Sequence, residues 1–207
     1  MGELRRSSEV RQVELTDAAL HIIATKGIAA LTTRSLAEHV GLTSGAIFRH
    51  FPSIEALLDA VVARVEIVLD ATYPPRDLPP RERLDGFVAA RTAAVGKQVG
   101  ILRLMLSEQF LLAVPEGGSA RLTSCRQKTR EFLRQCIHDG QAAGEFREDV
   151  DANALAMIVM GTMQMLALST ATRGQRAAEA HAVRDTLAAL LEPPVARAKS
   201  HKRGRSS

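Results

Sequence analysis

The residues with the most chemical meaning in this chain are Thr43, Ser44, Gly45, Ala46, Arg49 and His50, which lie in one short segment between Gly41 and Pro52. Arg49 and His50 carry side-chain N–H donors suited to phosphate, and the free amides at the start of a helix attract anions. Gly45 breaks a local rule, because glycine inside a helix costs about 1 kcal/mol relative to alanine. A rule broken there suggests that another molecule must come close, and a phosphate or a base edge fits. The chemistry is then recognition of a polyanion. The same spacing also fits an ordinary pair of packed helices, with Phe48 and Phe51 as core rings and Arg49 as a solvated charge. We assign Phe51 to the core and His50 to the nucleic acid.

Two short helices must position these groups. Residues 33–40 place Leu36, Ala37 and Val40 on one side at helical spacing, with Thr32 or Thr33 able to accept the first free amides. Gly41 then stops the helix by adopting a left-handed backbone at little cost. Thr43 can cap a second helix over residues 44–50, which Pro52 ends. With Leu36, Val40, Leu42, Ile47 and Phe51 inward, the pair forms a helix-turn-helix whose second helix enters the major groove. A first helix over residues 9–26, carrying Leu15, Ala19, Ile22 and Ile23, supplies the third wall.

The order Thr-Thr-Arg, Leu-Ala, Val-Gly-Leu, Ser-Gly-Ala-Ile-Phe, Arg-His-Phe and Ser-x-Glu-Ala-Leu-Leu resembles the DNA-binding end of the TetR family of bacterial transcriptional repressors over residues 10–58. The resemblance implies an all-α homodimer: an N-terminal three-helix helix-turn-helix domain, then a helical bundle for effector binding and dimerisation. It implies a palindromic double-stranded operator that is released when a small molecule binds the second domain. Carried over by position, Thr33 resembles the family's phosphate-contacting threonine and Arg34 its neighbour that can reach a base. Ser44, Gly45 and Ala46 occupy base-facing positions, while Phe48 and His50 sit where the family commonly places tyrosine and a polar residue near phosphates. Phe48 departs from that pattern by lacking a hydroxyl, and Ile54 stands where a lysine is most common. Arg34 is the best candidate for direct base reading, since arginine pairs with guanine N7 and O6.

The expected organisation is an arm and helix-turn-helix domain at 1–53, an effector and dimerisation domain at 54–195 with a connecting helix at 54–72, and a basic disordered tail at 196–207. Four of the eight prolines fall in residues 73–80 and must break helical structure. Further helices are expected over 81–97, 101–113, 119–143 (capped by Ser119), 154–168 and 175–191. The 154–168 stretch is apolar nearly all round and must be covered on more than one side. At fifteen residues it falls short of the roughly 20 that cross a bilayer. Its methionines and the adjoining helices suggest an adaptable, mainly apolar effector pocket built from Met105, Phe110, Phe132, Met157, Met160 and Gln164. Gly161, Thr162 and Ala167, with Val183, Leu187 and Leu190 of the last helix, are expected at the dimer interface, a pairing that the family resemblance suggests.

Charge does not carry the nucleic-acid reading. The net charge of +4 includes five tail cations, Arg197, Lys199, Lys202, Arg203 and Arg205, which leaves −1 for the rest. Cys125 and Cys136, eleven residues apart on one helix, stand roughly 16 Å apart in rise and cannot bridge. His21 and His39 have no Cys, His or carboxylate neighbour at metal-ligand spacing, so no metal or cofactor is expected. No nucleophile elbow, phosphate loop, dinucleotide fingerprint or His-Glu-x-x-His is present, and an enzyme is not expected. Absence of a signal segment and of spans points to the cytoplasm. An activator, or a regulator that ignores effectors, is the alternative of the same class.

Overall fold

The computed structural model describes residues 2–97, 101–168 and 173–194, and among these residues every regular element is helical. The basic tail at 196–207 lies outside the described residues. The elements are α1 (Gly2–Lys26), a 3-10 turn (Ile28–Ala30), α2 (Thr33–Val40), α3 (Ser44–Phe48), α4 (Ile54–Asp70), α5 (Pro80–Lys97), α6 (Ile101–Leu106), α7 (Glu108–Ala113), α8 (Glu116–Ala142), α9 (Ala152–Leu168) and α10 (Arg173–Leu191). No helix among the described residues is long and apolar enough to cross a membrane.

The helix-turn-helix is held by its caps. Thr32 and Ser35 form a reciprocal pair, each side chain accepting from the other's backbone N–H at 3.0 Å. The Ser35 hydroxyl also donates to Ala30 O at 2.7 Å, tying α2 to the 3-10 turn. Gly41 has φ 69°, the left-handed cap that the sequence calls for. Thr43 then caps α3, its hydroxyl accepting from Ala46 N at 3.3 Å. The expected run of α3 to His50 is too long: the helix stops at Phe48, and His50 N–H instead turns back to Ile47 O at 2.9 Å. Pro52 forces this, because the residue before a proline avoids the helical region.

Other boundaries also move. Residues 2–8, expected as a flexible arm, continue α1, as adding a residue to a formed helix gains one hydrogen bond per residue fixed. The 101–113 segment breaks at Ser107, whose hydroxyl accepts from Phe110 N at 3.2 Å and starts α7 in a new direction. Helix α8 begins at Glu116 behind Pro115, so Ser119 lies inside it and is not its cap.

The interior forms two clusters. The first joins Leu15, Ala19, Ile22 and Ile23 of α1 to Leu36, Ile47 and Phe51, then continues through Leu57, Leu58, Val61, Val62 and Val65 of α4 into Leu104, Met105, Phe110 and Leu122. It crosses residue 53 without interruption. The second packs Leu84, Phe87 and Val88 of α5 with Leu133, Cys136 and Ile137 of α8, Phe146, and Leu155, Val159, Met163, Leu187 and Leu191 of α9 and α10. Ion pairs fasten α4 on both sides: Arg64 donates to Asp17 of α1 at 2.8 Å, while Arg121 of α8 grips Glu66 and Asp59. Partial exposure limits each pair to a contribution of about 1 kcal/mol or less.

One glycine is there for its lack of a side chain. An alanine Cβ at Gly140 would lie inside the ring of Phe146, which is itself fully buried. Gly140→Ala is expected to destabilise the fold by about 1–3 kcal/mol, although alanine is otherwise the better helix former. Gly86→Ala, where the new methyl meets only Pro74 at 3.8 Å, should be neutral or stabilising in the same urea titration. Equal effects at the two sites would mean that Phe146 can swing aside.

Candidate nucleic-acid interface and internal cavity

Helix α3 has two unlike faces. Ala46 and Ile47 are buried, Ile47 within the first core cluster, and Ser44, Gly45, Phe48 and Arg49 are exposed. Positions 44, 45, 48 and 49 recur at helical spacing and form one outward strip, with exposed Thr43 at its head. Nothing lies within 4 Å of a Cβ built at Gly45, so internal packing gives no reason for a glycine there. Phe48 is 51% exposed, which removes it from the core and leaves a ring facing outward. Ala46, expected to face a base, is 7% exposed and largely buried beside Ile47. His50 is half-buried, with Nδ1 enclosed and without a partner, so only its other nitrogen is left for a phosphate. Gln12 of α1 donates to His50 O at 3.1 Å and fixes the end of α3.

Helix α2 presents the other candidates beside this strip in sequence. Thr33 is half-buried in its first turn, and Arg34 projects outward with 86% of its side chain exposed. Arg34 donates to Glu38 at 3.0 Å. Such an exposed i,i+4 pair is worth about 0.3–0.5 kcal/mol, so the guanidinium can leave it for a base or phosphate at small cost. Ile54 is partly buried against the core, which accounts for an apolar residue at the start of α4.

A separate cavity of about 40 Å³ lies inside the helical bundle, lined by Leu69, Arg91, Met105, Arg126, Thr129, Met160, Met163 and Gln164. Met105, Met160 and Gln164 thus come together as the sequence suggests. The other three expected pocket residues do not. Phe110, in α7 beyond the break at Ser107, is buried in the first core cluster away from the cavity lining. Phe132 packs edge-on to Tyr73 with ring centroids 5.2 Å apart and against Phe87 at 4.7 Å, outside the cavity lining. Met157 is 60% exposed, since the buried stripe of α9 runs through Leu155, Ala156, Val159 and Met163.

The expected pocket leaves out Arg91, which the sequence places on the same face as Leu84, Phe87 and Val88. Only 3% of it is exposed, and its guanidinium carbon stands 4.8 Å from the Phe87 ring centroid and 5.3 Å from that of Tyr73. Its Nη2 reaches the Thr129 hydroxyl only at 3.5 Å, and its Nε has no hydrogen-bond partner. Burial holds its pKa below the usual arginine value, with Tyr73 opposing that shift, yet an arginine remains charged at any physiological pH. Taking such an ion out of water costs several kcal/mol, and a cation–π contact returns about 2 kcal/mol when desolvated. Asp70, whose carboxylate favours the charged arginine, is itself held by Lys128 at 2.5 Å. The sequence signal was an arginine on the apolar stripe of Leu84, Phe87 and Val88.

The outer side of α9 exposes Met157, Ile158 and Met165, with Gly161 and Thr162 half-buried between them. Sequence reasoning missed Ile158 and Met165 as surface residues. Of the expected interface positions on α10, Val183 and Leu190 are half-buried, and Leu187 is 7% exposed inside its own domain's core. Leu187 is therefore taken by internal packing, being one turn before Leu191 on the inward stripe. The Ala167 side chain lies outside the described residues.

Comparison with known proteins agrees with this geometry. A family model described as "Bacterial regulatory proteins, tetR family" matches residues 15–61, and one described as "Tetracyclin repressor-like, C-terminal domain" matches residues 114–186. The chain is 26% identical over 161 residues to the HTH-type transcriptional repressor KstR2 of Mycobacterium tuberculosis, covering 73% of this chain and 77% of that protein. The solved KstR2 structure superposes with a TM-score of 0.74 at 22% identity, covering 88% and 95% of the two chains. A structure of AibR in complex with isovaleryl coenzyme A and operator DNA superposes with a TM-score of 0.71 at 18% identity, covering 89% and 100%.

Proposed function

The chain belongs to the TetR family of bacterial regulators, DNA-binding proteins and not enzymes, and from that premise we propose that it is a homodimeric repressor released from a palindromic operator by a small molecule. The observation that carries the reading is the outward strip of α3, Ser44, Gly45, Phe48 and Arg49, standing free of the core that holds Ile47. In a dimer the two strips enter successive major grooves about 34–36 Å apart. Thr33, Thr43, Arg49 and the free nitrogen of His50 take phosphates, Ser44 and Gly45 admit the base edges, and the Phe48 ring packs against sugar or a thymine methyl. The exposed apolar side of α9 pairs with its copy, together with the outer side of α10.

Release follows from what the cavity touches. Leu69 of α4 and Met105 of α6 line it, and both also belong to the core cluster that seats the helix-turn-helix. A ligand that displaces them favours a different seating of the DNA-binding end, which shifts the population away from the spacing the operator needs. That AibR is solved with isovaleryl coenzyme A and operator DNA supports an effector-responsive reading. The protein works where chromosomal DNA is, in the cytoplasm.

Selection of bound sequences from a random duplex library, at one stated salt concentration, tests the proposal. An enriched palindrome that persists when residues 196–207 are removed supports it. Enrichment that vanishes with the tail would assign the affinity to nonspecific charge. With the operator in hand, Arg34→Ala is expected to lose about 1–3 kcal/mol of discrimination at one base pair per half-site. Uniform weakening across all base substitutions would place Arg34 on a phosphate.

A further inference from the structure

We propose that the Arg91 cavity is a carboxylate-binding site, and that its ligand is a small monocarboxylic acid with an aliphatic tail. This deepens the effector reading above and rests on it for its regulatory meaning, though not for the binding itself.

Three observations converge. First, the cavity holds two guanidinium groups, Arg91 and Arg126, and among the described residues no carboxylate lines it. The neighbouring acidic residues are engaged elsewhere, Glu66 and Asp59 by Arg121 and Asp70 by Lys128. Second, Arg91 is 97% withdrawn from solvent; among the described residues its Nη2 reaches the Thr129 hydroxyl only at 3.5 Å, Tyr73 lies near enough to favour its charged form, and Nε has no partner. Arginine presents a planar fork of donors that matches a carboxylate, and a buried fork with unmet donors is the half of such a pair that a fold can supply in advance. The rings of Tyr73 and Phe87 fix its plane from one side, which leaves its donor edge as the unsatisfied part. Arg126 is loosely held too, reaching Met105 O at 3.4 Å and the Thr123 hydroxyl at 3.2 Å.

Third, the apolar part of the lining is Leu69, Met105, Met160 and Met163, three unbranched thioethers and one leucine. The space of about 40 Å³ exceeds the 10–15 Å³ that one water needs, enough for a headgroup. The tail makes its own room by moving methionines, which change rotamer at low cost. Charge and lining together select an anion that is compact at one end and aliphatic at the other. Gln164 offers an amide for the second carboxylate oxygen or for a substituent beside it.

The test is thermal melting of the full chain, without DNA, in titrations of hexanoate and octanoate, of the corresponding primary amides, and of hexanoyl coenzyme A. Wild type is expected to melt higher with the acids, and the amides to bind about thirty-fold more weakly or worse, the penalty for leaving a buried charge without its partner. Arg91→Met should lose the acid effect, and Arg126→Met should weaken it. Equal shifts from acid and amide, a full acid effect in Arg91→Met, or no shift with either acid would overturn the proposal. A response to the coenzyme A thioester alone would also overturn it. Should Arg91→Met fail to fold, the acid-to-amide ratio in wild type decides by itself. Acid binding that leaves the operator complex intact would support the site and overturn the release mechanism proposed above, so the two can fail separately.

Discussion

Gly45→Ala is expected to make the free protein more stable and the DNA complex much weaker. The backbone at Gly45 is helical, its Cβ position is open, and it is not among the glycines with positive φ, so alanine fits without strain. The substitution should gain up to about 1 kcal/mol in the unliganded chain. On DNA the added methyl stands between the exposed strip of α3 and the groove. Intrusion of a methyl into a close-packed contact costs about 1–3 kcal/mol, and a dimer suffers it twice, so affinity falls by roughly thirty-fold or more. Urea unfolding and operator binding by fluorescence anisotropy, both at one salt concentration, measure the two effects. Opposite signs would identify a residue kept for binding at the expense of stability. Unchanged affinity would show that DNA does not approach α3 at Gly45.

Gly45 also shows what kind of information the sequence carries. Its meaning was legible because it breaks a local rule at a known place in a motif, and caps are local too: Thr43, Ser53 and Gly41 do what their types and spacing dictate. Most of the long helices were readable because periodicity is local, whereas the helical start at residues 2–8 and the split at Ser107 were not. Nor was direction. The break at Ser107 is a single residue, yet past it Phe110 is buried in the first core cluster and does not line the cavity. A uniformly apolar helix hides its orientation as well. In α9 nothing in the order of Met157, Met160, Met163 and Met165 says which faces in, and the structure turns Met160 and Met163 to the cavity and exposes Met157 and Met165.

The same limit explains Arg91. An arginine on an apolar stripe can reach solvent along its stem, as snorkelling side chains do, and sequence alone does not distinguish that from burial. The decisive fact is tertiary: Tyr73 from the proline-rich connection and Phe132 from α8 close over Phe87 and trap the guanidinium beneath them. The aromatic residues were individually visible, and their convergence was not. The cavity beside Arg91 is lined by Leu69 of α4, Met105 of α6 and the α9 residues Met160, Met163 and Gln164, so a bound molecule would touch helices that reach the DNA-binding end.

Phe87→Ala is expected to destabilise the protein by about 3–5 kcal/mol, the cost of emptying a fully buried phenylalanine site. The ring contacts Tyr73 at 5.3 Å and Phe132 at 4.7 Å between centroids and shields Arg91, so its loss opens a cavity and also strands a buried charge. Arg91→Met should behave differently. Exchanging a buried cation that lacks a carboxylate for an apolar side chain of similar length is commonly neutral or stabilising. The double variant should then be less impaired than the sum of the two single effects, because the charge that Phe87→Ala strands is gone. Chemical unfolding at fixed protomer concentration, needed because dimerisation contributes to stability, reads all three. If Arg91→Met cost as much as Phe87→Ala, Arg91 would be holding the fold together. If it costs nothing, the fold has no use for a buried positive charge at that point, and its presence has to be explained by something the protein binds.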